Sequence, residues 1–100
     1  MKMDIVDISK ELYQGSLRLE NSSKEIFKLA KAMAETERDY RIELAKEKMK
    51  LRDEGMAVGL IEDVSRGNLA ELRFERDLSK ERYITGRDSI RAQIAQLNAL

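Results

Sequence analysis

The sequence predicts an all-α fold, an antiparallel, coiled-coil-like helical hairpin with a short helix at its corner, assembled as a dimer or higher oligomer. Apolar residues recur every seven positions, at Ile5, Leu12, Leu19, Ile26, Met33 and Tyr40, the spacing that keeps one stripe of a helix turned toward a partner. The 100-residue chain has no proline, and 38% of it is Asp, Glu, Lys or Arg against 5% aromatic, the bias of long helices. Three of its five glycines fall between Glu54 and Asn68, which makes that stretch the corner.

Residues 1–22 read as a helical arm and 23–54 as a long helix. The companion positions of the stripe, Ile8, Gly15, Ser22, Leu29, Thr36 and Glu43, are mixed, so the seam is apolar on one side and polar on the other. Gly15 costs about 1 kcal/mol relative to alanine inside a helix, and Asn21, Ser22 and Ser23 favour caps over helix interiors. Ser22 with Glu25 has the spacing of a capping box. Two readings stand together here: a break near residues 15–22, or a continuous helix with a soft spot. From Lys24 to Arg52, acid and base spacings such as Glu37 with Arg41 describe a solvated face.

The corner occupies residues 55–67. Gly55 is suited to stop the first helix, because glycine takes the left-handed conformation at that position without strain. Val58, Ile61 and Val64 then repeat every three residues, enough to lay one apolar face of a short helix over the hairpin end. Gly67 is expected to stop it, and Asn68 with Glu71 to cap the start of a last long helix over 68–100.

That last helix carries its own seven-residue series, Leu69, Arg76, Tyr83, Ile90 and Leu97. With Glu54 placed opposite Leu69, facing residues sum to 123, so that Tyr40 meets Tyr83, Met33 meets Ile90 and Ile26 meets Leu97. The same register sets Glu47 against Arg76 as a seam ion pair that fixes register more than it adds stability. It also leaves the first 22 residues without a helix of their own chain. Ile5, Ile8, Leu12 and Leu19 therefore become the candidate self-association or partner-binding stripe, and a symmetric dimer is the simplest cover for it.

Several function classes fall away on composition. Nineteen basic residues balance nineteen acidic ones, and cysteine and histidine are absent, which removes thiol nucleophiles, histidine bases and the usual zinc ligand sets. No cofactor motif, P-loop or calcium loop is present, and exposed helix carboxylates at this density serve solubility, so an enzyme is not expected. The N-terminus is too acidic for a signal peptide and no run approaches a membrane span, so a soluble cytoplasmic protein is expected. A DNA-reading helix-turn-helix is disfavoured, because the segment Ile61–Gly67 is short and carries Glu62 and Asp63. Arg66 and Arg73 remain the candidate nucleic-acid contacts, in a secondary reading.

The run AETERDYRIELAKEKMKLRDEGMAVGLIEDVSRGN followed by LAELRFERDLSKERY resembles small helical proteins encoded by phages and prophages of Gram-positive bacteria. The likeness spans roughly residues 30–85 and is most specific at the EGM corner. Those proteins carry a proline after the corner methionine where this chain has Ala57, which loosens the helix start. The resemblance implies a phage accessory protein acting in the bacterial cytoplasm and carries over no catalytic residues. Two functions are expected from it and the residues together. The first is a helical protein-interaction module with an unidentified host or phage partner, perturbing replication, recombination or defence. The second is a dimeric nucleic-acid accessory protein.

Overall fold

A computed structural model describes residues 4–100, and the described residues form three helices and no strand: α1 (Ile5–Asp53), α2 (Val58–Asn68) and α3 (Ala70–Asn98). The fold is all-α. Helix α1 starts where Asp4 caps it, accepting from the Asp7 amide through its carboxylate (2.9 Å) and from the Ile8 amide through its carbonyl (3.0 Å). It runs unbroken through residues 15–23, so the arm and the long helix expected on either side of residue 22 are one element. The serines that pointed to a break are occupied otherwise. Ser22 donates to Gln93 Oε1 (3.1 Å), and Ser23 donates back to the Leu19 carbonyl (3.0 Å), a bond that a helix interior accommodates.

At the other end of α1, Gly55 adopts φ +83°. The Gly55 amide donates to Arg52 O (3.0 Å) and the Met56 amide to Leu51 O (3.1 Å), the paired bonds of a Schellman stop. Only residues 54–57 separate α1 from α2. Gly67 does not stop α2, which continues through it to Asn68. Nor does Asn68 cap α3, because its side-chain amide donates to Glu47 Oε1 (2.9 Å). The step from α2 to α3 is a one-residue irregularity at Leu69, whose amide still donates to Ser65 O (3.1 Å). The expected apolar face of α2 is also trimmed: Ile61 and Val64 are half-buried, while Val58 is 84% exposed.

The chain divides into two compact units. In the first, residues 11–30 of α1 run beside residues 82–98 of α3. The contacts there are between small and branched residues. A methyl group on Gly15 would overlap the Leu97 side chain, and one on Gly86 would sit 2.9 Å from Ile26 and 3.0 Å from Leu29. Glycine at these two positions lets the helices approach closely.

The second unit, Lys31–Glu81, holds the apolar core among the described residues, Tyr40 and Leu51, each 5% exposed. Two serines complete it. Ser65 is fully buried and donates to the carbonyls of Ile61 (2.6 Å) and Glu62 (3.0 Å), and Ser79 is also buried. A hydroxyl satisfied by its own helix can be buried without the penalty of an unpaired donor.

The register differs from the expected sum of 123. In the second unit, Glu47 meets Asn68, Glu37 meets Arg76 and Lys48 meets Glu62. In the first, Ser22 meets Gln93, Gly15 meets Leu97 and Gly86 meets Ile26. Facing residues in both units therefore sum to between 110 and 115. The physical reason is the length of the turn. The expected register gave the whole of 54–69 to the reversal, whereas Gly55 completes it by Ala57 and α2 already runs back along α1. The Glu47–Arg76 ion pair is consequently not formed. Arg76 lies over the Tyr40 ring, 4.4 Å from its centroid, with Glu37 Oε2 3.6 Å away.

Candidate functional site

Each unit presents one surface with chemical character. In the first unit it is the start of α1. The tighter register brings Ser22 and Gly15 into contact with α3, and Glu11 lines the same small pocket as Leu97 and Leu100. Among the described residues the unpartnered stretch is therefore 4–10 rather than 4–22, residues 1–3 of the expected arm lying outside them. Of the four candidate stripe residues, Leu19 belongs to the seam and is half-buried, as is Ile8. Ile5 is 82% and Leu12 is 42% exposed. A second exposed row lies beside them, Val6, Tyr13 and Leu17, at spacings of seven and four that place all three on one helix face. Sequence reasoning missed this row although its period was readable, because the seam series absorbed the pattern.

In the second unit the surface is charged. Tyr40 forms part of the floor of an open cleft of about 470 Å3. Arg41 and Lys48 line it from α1, Arg66 from α2, and Arg73 and Arg76 from α3. Two carboxylates stand among these five cations, and each serves two of them. Glu62 Oε1 accepts from Lys48 Nζ (3.3 Å) and Arg66 Nη2 (2.9 Å). Glu37 accepts from Arg41 Nε (2.7 Å) through one oxygen and faces Arg76 Nε (3.6 Å) through the other. Arg73 makes no side-chain ion pair or hydrogen bond with the described residues.

Arg66 and Arg73 also line an adjoining open pocket of about 380 Å3 with Phe74, which is 58% exposed. The two arginines singled out from sequence are thus brought together. Arg41, Lys48 and Phe74 were not singled out for this surface, and Arg76 was singled out only as the seam partner of Glu47, because only the observed register carries them to the same place.

No group of three or more metal-ligating side chains is assembled among the described residues, and no helix among them is long and apolar enough to cross a membrane. No family model, curated protein or solved structure matches the chain.

Proposed function

We propose that this chain is a self-associating helical protein-interaction module, of the phage accessory kind that its corner motif resembles, and that two copies pair through the start of α1. The observation that supports it is the continuation of α1's seven-residue stripe into its first turns in exposed Ile5 and Leu12. An exposed apolar stripe that continues a packed seam is unsatisfied surface.

The sequence of that stretch is complementary to itself when reversed. An antiparallel pair centred between Ile8 and Ser9 sets Ile5 opposite Leu12 of the second copy and Asp7 opposite Lys10. By twofold symmetry each pairing occurs twice, as an isologous interface requires.

Sedimentation velocity over a concentration series tests the reading. The native chain is expected at twice its monomer mass, and Ile5→Asp with Leu12→Asp at monomer mass with its helix content unchanged. Asp7→Lys weakens the dimer, and adding Lys10→Asp restores it. A native chain that stays monomeric, or a double aspartate variant that still dimerises, overturns the proposal.

A further inference from the structure

Independently of self-association, we propose that the cationic cleft of the second unit, with the adjoining Phe74, is a binding site for single-stranded nucleic acid. Phosphates would lie along the arginines and a base would stack on the phenylalanine.

Three features of the cleft point to a phosphate chain. The first is charge excess: five cations surround two carboxylates in the cleft, with Asp77 a third against Arg76 (3.0 Å), inside a protein whose acidic and basic residues balance nineteen to nineteen overall. A chain with no net charge concentrates positive potential here, and such a concave patch attracts a polyanion. The second is the state of the cations. Glu62 holds Lys48 and Arg66, Glu37 holds Arg41, and Asp77 accepts from Arg76 Nε (3.1 Å) and Nη2 (3.0 Å), while Arg73 is left with no partner among the described residues. A guanidinium held among fixed cations without a carboxylate of its own is a donor fork free for an external oxyanion, and Arg matches phosphate geometry bidentately.

The third feature selects among polyanions. Arg66 and Arg73 are shared with the pocket that contains Phe74, an aromatic ring 58% exposed. Backbone-tracking cations beside an exposed aromatic are the two components of sequence-tolerant single-strand binding. An acidic peptide has no use for the ring, and a duplex keeps its bases stacked away from it. The short α2, which argued against reading a major groove, is no obstacle to this mode.

The test is fluorescence anisotropy of a labelled oligothymidylate of about twenty nucleotides against the full-length chain. Two to three phosphate contacts on a single strand predict a loss of roughly seven- to twentyfold in affinity between about 50 and 200 mM salt. Arg73→Ala is expected to weaken binding and lower the salt slope by about 0.7. Phe74→Ala is expected to weaken it roughly fivefold or more while leaving the slope unchanged, a signature that loss of charge does not produce. Neither side chain supports the fold, since one is unpaired and the other largely exposed. Arg91→Ala, in the first unit, removes the same charge elsewhere and leaves binding as it was.

Failure to bind at low salt overturns the proposal. So does Arg73→Ala behaving like Arg91→Ala, a matched duplex binding as tightly as the single strand, Phe74→Ala without effect, or a labelled oligoglutamate binding equally well.

Discussion

The two units are built from neighbouring stretches of α1 and α3 with the same seven-residue period, yet they are held together differently. The second unit buries Tyr40 and Leu51. The first buries no large apolar side chain: its seam is made by Gly15, Ser22, Gly86 and Gln93, with half-buried Leu19, Ile26, Leu29 and Ile90 around them. Small residues allow close backbone approach but remove little apolar area from water, and burial stabilises by about 25 cal/mol per Å2. A seven-residue repeat therefore specifies which face packs without specifying how strongly. Exposed apolar side chains do not separate the units: the first leaves Ile5, Val6, Leu12 and Tyr13 exposed, the second Met49, Val58, Leu60 and Phe74. The unit that closes on an aromatic core is the one whose rim carries charge.

The largest effect that separates them is expected from deleting a core side chain. Tyr40→Ala removes a buried ring together with the surface on which the Arg76 guanidinium rests, and truncations of this kind cost about 3–5 kcal/mol. Leu19→Ala in the first unit, at a half-buried seam position, is expected to cost about 1–2 kcal/mol. Urea denaturation monitored by circular dichroism measures both. Equal losses would mean that the first unit is as firmly packed as the second.

A smaller effect, of opposite origin, is expected from adding volume to the first unit. Gly86→Leu drives a side chain into Ile26 and Leu29, the residues that even a methyl group would approach at 2.9 and 3.0 Å. Overpacking of this sort costs about 1–3 kcal/mol, partly offset by leucine's better helix propensity. A stabilised variant would show that the seam has room, and that the close approach at Gly86 is not what sets the spacing there.

Much of this was legible in the residues. The seam series and its mixed companions correspond to the buried and half-buried positions of α1 from Leu19 to Glu43, because a period of seven is a property of the chain alone. The turn was legible only in part. Gly55 was recognisable as a helix stop, but nothing local distinguishes a reversal finished at Ala57 from one extended to Leu69, and every cross-helix pairing depends on that difference. Asn68 followed by Glu71 carries a capping signature, yet the Asn68 amide is engaged by Glu47, a residue 21 positions away. Ser65 gave no sign of burial, since a serine satisfied by its own helix looks the same in sequence as a solvated one. The cationic cleft was invisible for the same reason as the register: its five cations come from three helices, and Arg41 and Lys48 on α1 lie 18 or more positions from the other three.

The smallest effect tests that lesson most directly, because it has the opposite sign under the two accounts of the corner. Gly67 lies inside α2, has no positive φ and has nothing within 4 Å of where a Cβ would stand. Alanine there should favour the helix and reduce the freedom of the unfolded chain, for a gain of about 0.5–1 kcal/mol. Had Gly67 been the left-handed stop between two helices, the same substitution would strain the backbone and destabilise the protein by a comparable amount. Gly55→Ala is the internal comparison, since its φ of +83° makes it the true stop and its replacement a loss. A thermal melt in which Gly67→Ala rises and Gly55→Ala falls places the reversal at residues 54–57. If both fall, α2 would be a separate cap, and the contacts of Glu47 with Asn68 and of Lys48 with Glu62 would have to be abandoned together with the cleft that depends on them.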